Sequence, residues 1–137
     1  MNLLAAFEQV KNIALAGCPS IQAVVKGEPK TFNGQSPTLT IKLGRYTHHP
    51  IANKQATETY SFVVTLYVKW QDNEALCETQ LLTILEEELA PAFADNKSLN
   101  GTVTAAVLTD GDAGVRKIIG ETYRYVDNML MCFYKTE

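Results

Sequence analysis

The stretch TDGDAGVRKIIGE, residues 109 to 121, carries carboxylates at a spacing that suits a calcium ion. Asp110 and Asp112 stand two apart, and Glu121 falls where an EF-hand places its bidentate last ligand. Two diagnostic positions fail. Gly114 stands where a third oxygen ligand belongs, and Val115 where the loop needs a glycine for its sharp turn. The flanks also alternate like strands, whereas an EF-hand needs two helices. Asp and Gly together accept turn dihedrals, so the Asp110–Gly114 segment is expected to be a hairpin tip. Arg116 and Lys117 are expected to lie exposed on its far side.

Other reactive residues give less. His48 and His49 are the two histidines. As neighbours on extended backbone they point apart, and no Cys or carboxylate flanks them closely enough to complete a metal set. Cys18, Cys77 and Cys132 are far apart and lie in or beside apolar runs (LAGCP, EALCETQLL, MLMCFY). They read as buried, reduced thiols, which fits a reducing compartment. There is no CxxC, no G-x-S-x-G elbow, and neither phosphate-binding glycine pattern. The residues therefore assign no catalytic, cofactor-binding or metal-binding role.

The elements that would position these groups follow from periodicity. Leu3, Phe7, Val10 and Ala14, widened by Ala6 and Ile13, form one helical stripe over about residues 2 to 16, ending at Gly17 before Pro19. IQAVVK is a short strand on which Ile21, Ala23 and Val25 share a face. GEPKTFNGQSP is a turn-rich connector. TLTIKLG turns Leu39, Ile41 and Leu43 one way. RYTHHPIANKQAT (45–57) has no periodicity and is expected to be a long polar loop. In ETYSFVVTLYVKW, Tyr60, Phe62, Val64, Leu66 and Val68 oppose Ser61, Val63, Thr65, Tyr67 and Lys69, as in a central strand.

A second helix, with Asp72 or Asn73 as its cap, carries Cys77, Leu81, Ile84, Leu85 and Leu89 to its end at Pro91. Glu86, Glu87 and Glu88 read as its solvated face. Two strands close the chain. LNGTVTAAVLT places Val103, Ala105 and Val107 against Thr102, Thr104 and Leu108. KIIGETYRYVDNMLMCFYK is apolar on both sides toward its end, so something beyond its own helices is expected to cover it. The fold class is α+β: a mainly antiparallel sheet of about five strands with two helices on one face.

The chain has 137 residues, enough for a single domain (1–137) with a core of its own. Its formal net charge is -3, which offers no dense cationic face to nucleic acid or an anionic bilayer. The N-terminus is amphipathic, with Glu8, Gln9, Lys11 and Asn12 breaking its apolar run, so neither a signal peptide nor a membrane span is expected. The cytoplasm is the expected compartment.

The arrangement as a whole resembles the tail terminator, or tail-completion, proteins of long-tailed bacteriophages and prophages. The resemblance is carried by the N-terminal amphipathic helix, ETYSFVVTLYVKW, ALCETQLLTILEEEL, SLNGTVTAAVLTD and GETYRYVDNMLMCFY, over about residues 3 to 135. It implies a structural protein of the virion tail or neck: a homo-oligomeric ring, usually of six subunits. Such a ring binds the last ring of tail-tube protein, stops tube polymerisation, and offers a surface to the head-side connector. DNA would pass through it. No catalytic residues come with the resemblance. The expected subunit contact lies on the sheet face around Tyr123, Tyr125 and Met129, with Tyr67 and Lys69 of the central strand. Two other readings stay open: another neck or head-completion component, and a small α+β hydrolase or ligand-binding protein with a pocket near His48 and His49.

Overall fold

The computed structural model describes residues 3–28, 30, 32, 35–51, 55–70 and 74–136, without the side chains of 48–51, 55–57, 110 and 136. The chain runs α1 (Leu3–Gly17), β1 (Ala23–Lys26), β2 (Thr38–Ile51), β3 (Gln55–Lys69), a second helical rod, β4 (Ala105–Ile118) and β5 (Glu121–Thr136). The rod consists of α2 (Glu74–Thr83), a π-helical turn (Ile84–Leu89) and α3 (Ala90–Ala94). The five strands form one sheet in the order β1-β2-β3-β5-β4. β1 runs parallel to β2, and the other three pairings are antiparallel. The fold is α+β, with its elements in the order that periodicity indicated.

β3 organises the core. Tyr60, Phe62, Val64, Leu66 and Val68 are all buried on the helix side, together with Leu39 and Ile41 of β2 and Leu130 and Cys132 of β5. Onto this face α1 lays Ala6, Val10, Ile13 and Ala14, and the second rod lays Cys77, Leu81, Ile84 and Leu89. Each large aliphatic side chain so buried contributes roughly 1.5–3 kcal/mol, so the strand's alternation decides which face the helices take. The two helical layers meet where Gly17 faces Ala92: a Cβ at Gly17 would stand 2.5 Å from the Ala92 Cβ. Cys18, Cys77 and Cys132 are buried and reduced. Desolvation raises all three thiols, to about 11 for Cys18, where Glu88 adds to the effect, and to about 12 for Cys132.

Several expectations are corrected. Of the expected long loop 45–57, residues 45–51 and 55–57 are strand: β2 reaches Ile51 and β3 starts at Gln55, in register from Arg45↔Ser61 to Ile51↔Gln55, and 52–54 lie outside the described residues. Polar side chains hid a ladder whose stability comes from backbone pairing. Asp110–Gly114 is no hairpin tip either. Those residues lie within β4, where a bulge between Leu108 and Gly111 absorbs the irregularity. The turn falls instead at Ile119 and Gly120, both at positive φ (45° and 75°), as a tight two-residue hairpin requires.

Pro91 does not end the second helix. The backbone N–H of Ala90 bonds to the Leu85 carbonyl, five residues back, and the helix continues to Ala94. Proline has no N–H to donate, and here the ladder changes register just before it rather than stopping. Glu86 and Glu87 are exposed, while Glu88 accepts the Ser20 backbone N–H at 2.8 Å.

The SLNGT segment is a left-handed turn, with positive φ at Leu99, Asn100 and Gly101, so β4 begins later than expected. Val107 and Leu108 lie on opposite sides as the alternation indicated, and it is the Leu108 side, with Ala106, that packs on the core while Val107 is exposed. Likewise Val24, not Ala23 and Val25, faces the core from β1. The proposed caps Asp72 and Asn73 lie outside the described residues.

Gly17→Ala is expected to cost about 1–3 kcal/mol in guanidinium unfolding, because the added methyl overpacks the helix contact. Adding Ala92→Gly to that variant should restore part of the loss; an unchanged midpoint in the single variant would contradict the close approach.

Candidate functional site

The strand positions that do not face the helices form a second sheet surface, and the described residues cover only half of it. Pairing across the sheet sets Thr65 beside Asp127, Tyr67 beside Tyr125, and Lys69 beside Tyr123. β4 adds Asp112 beside Asp127, Gly114 beside Tyr125, and Arg116 beside Tyr123. At this end Phe32, from the connector before β2, closes over the tyrosines. Its ring centroid lies 4.8 Å from both Tyr67 and Tyr123, tilted against the first and edge-on to the second. Phe32, Tyr67 and Tyr123 are buried as a small second core, with Ile118 and Tyr125 packed against it.

Polar groups around this aromatic cluster are paired. Arg116 lies over the Tyr125 ring, 4.2 Å from its centroid, and donates to the Tyr67 hydroxyl. Such a cation–π contact contributes roughly 0.5–2 kcal/mol, depending on desolvation. The Tyr123 hydroxyl donates to Glu121 at 2.7 Å, and Lys69 reaches the same carboxylate at 3.1 Å. Those two donors hold the Glu121 carboxyl below its usual range. Burial raises the Tyr67 phenol, and pushes Tyr123 up to about 12 with help from Glu121. Gly114 lets Tyr125 lie across β4, since a Cβ there would come within 2.7 Å of the phenol oxygen. Arg116 was expected to be exposed at a tip; it is packed because β4 continues through it.

Among the described residues, nothing covers the other half of the surface. Val107, Met129 and Phe133 are 52%, 40% and 41% exposed, and Val63 and Met131 lie partly buried between them. Lys42 and Arg45 border this patch on β2, and Asp127, bonded to Thr65 at 2.6 Å, borders it toward the tyrosines. The sequence-derived contact set therefore divides. Tyr67 and Tyr123 are buried within the chain, so Tyr125, Met129 and Lys69, which reaches Glu121 with its side chain still partly exposed, supply what accessible surface the set has. Phe32 was missed because nothing in a turn-rich connector marks one aromatic residue as the cover of a distant pair. Val107 and Phe133 were left out of the contact set because alternation alone does not say which side of β4 the helices cover or which part of the other side stays open.

For the calcium geometry, Glu121 points to Lys69 and Tyr123 at the hairpin end, and Asp112 pairs in register with Asp127 across the strands. Among the described residues no group of three or more His, Cys, Asp and Glu side chains is placed to hold a metal ion. The side chains of His48, His49 and Asp110 lie outside the described residues. No described helix is long and apolar enough to cross a membrane. Fold and surface together define an α+β protein with a half-covered sheet. No protein-family model matches the chain, and no curated protein is significantly similar to it.

Phe32→Ala should lower stability by roughly 3 kcal/mol and loosen the tyrosine environment, read by near-ultraviolet circular dichroism. The phenol of Tyr123 has a folded-state pKa above that of a free tyrosine, so folding favours its neutral form. Its contribution is intact below about pH 10 and is lost as pH rises through about 12, which unfolding curves across that range should register.

Proposed function

We propose that this chain is a structural subunit of a long-tailed bacteriophage or prophage, forming a ring of six copies that caps the tail tube and ends its polymerisation. The observation that carries this reading is the uncovered apolar half of the sheet, Val63, Val107, Met129, Met131 and Phe133. An apolar surface left open beside an aromatic cluster that the chain does cover is suited to docking. Its occupant in this reading is the terminal ring of tail-tube protein. The order of helices and strands agrees with the one the resemblance rests on. A second surface of the ring meets the head-side connector, and the net negative charge lets DNA slide through without adhering. The mechanism is association alone, with buried area in place of reactive groups.

The test uses tail-tube protein polymerising in the presence of the purified chain, followed by electron microscopy. Tubes should stop growing and carry a ring at one end. Met129→Glu should abolish capping while leaving circular dichroism unchanged, because it places a charge in the middle of the docking patch. Tubes that lengthen regardless of the chain would overturn the proposal.

A further inference from the structure

A groove of about 570 Å³ lies between the second helical rod and β4. Leu82, Leu85 and Phe93 of the rod form one wall, and Ala106 and Leu108 of β4 the other. Small side chains leave the space, since Ala90 and Ala94, both exposed, line it from the rod. Val107 is shared with the apolar patch on the other face of the sheet; the floor is not. That floor belongs to the helix side, because Leu108 pairs with Leu130 and Asn128 with Val64, both core residues. Small-molecule sites run from about 300 to 1,000 Å³ and are mostly apolar with a few placed polar groups.

Two hydrogen-bond acceptors in this apolar setting lack a donor. Asn128, 8% exposed, is part of the lining. Its Nδ2 donates to the Val64 and Val126 carbonyls at 3.2 and 3.4 Å, and no described residue donates to its Oδ1. The second acceptor arises from the change of helical register. The Ala90 N–H bonds to the Leu85 carbonyl and Pro91 has no N–H, so neither serves the Glu86 carbonyl. A helical carbonyl points along the axis toward the residue four positions on, which here is Ala90 in the groove lining. Acceptors in apolar surroundings are costly until a donor reaches them. Glu86 and Lys97 bring one charge of each sign to the lining, so the groove as a whole favours neither cation nor anion.

We infer that this groove binds a small, neutral, largely apolar molecule whose polar group donates hydrogen bonds, with Asn128 Oδ1 and the Glu86 carbonyl as its acceptors. The apolar body lies against Leu85, Phe93 and Leu108, and its removal from water supplies the affinity. The acceptors set orientation and selectivity: a molecule of the same shape without a donor leaves Asn128 unserved and binds less well. This site goes beyond the capping of a tail tube and does not depend on it.

Indole and 1-methylindole test the inference, since both have a flat apolar body and differ in one N–H. Indole should bind with a Kd on the order of 1 mM, shifting the amide NMR signals of Ala90, Leu108 and the Asn128 side chain saturably. 1-Methylindole should bind about fivefold more weakly. Asn128→Leu should bring the two probes to similar affinity. Ala90→Leu, at an exposed helix position, should abolish the binding of both by filling the groove. Circular dichroism checks that each variant is folded. Equal affinity of the two probes for the wild type, shifts that map to another face, or indole binding unchanged in Ala90→Leu would each overturn the site. So would a fall in particle mass in Ala90→Leu, read by light scattering, because the groove would then belong to a second copy of the chain.

Discussion

Everything in this molecule is arranged around the two faces of β3. Because successive side chains of a strand point to opposite sides, Tyr60 to Val68 deliver five apolar groups to one face and leave Ser61, Val63, Thr65, Tyr67 and Lys69 on the other. The first set determines where both helices must lie. Once they are there, no described helix remains for the second face, and the connector before β2 contributes Phe32 as a partial cover. The half-open surface is thus the outcome of a chain whose two helical elements share one face of a single long sheet.

Charge distribution on that second face follows the same logic. Near Phe32, each polar group that faces the tyrosines has a close partner: Arg116 with Tyr67 and Tyr125, Glu121 with Tyr123 and Lys69, Asp127 with Thr65. Low-dielectric surroundings make an unpartnered group there expensive. Away from Phe32 the surface changes to methionine, valine and phenylalanine, and the flanking charges move to the strand edges. A docked ring would meet a flat apolar field bordered by charge, and the aromatic cluster would act as rigid backing.

Periodicity made the helices and the central strand legible, because Val10 or Leu66 reports burial through spacing alone. Extent was harder. The ends of β2 and β3 are written in polar residues such as Thr47, Thr57 and Glu58, whose place in a ladder depends on main-chain groups that sequence does not distinguish. Asp110-Gly111 imitates a turn, yet β5 runs alongside and holds it in a bulged strand. Pro91 imitates a helix stop, and a wider helical turn carries the chain past it. Of the five residues expected to meet a partner, all lie on the predicted face. Solvent access separates them, because that depends on Phe32, about thirty-five residues from the nearest in sequence.

The long β2–β3 hairpin sets the reach of the molecule. A strand of 14 residues spans about 46 Å at roughly 3.3 Å per residue, whereas the 15 residues of α1 cover only about 22 Å. The sheet therefore outruns the helical layer, and the overhang is a stiff arm whose base is clamped in the core. What holds the far end in place is strand pairing, from β2 through β3 to β5, rather than the packing of a helix.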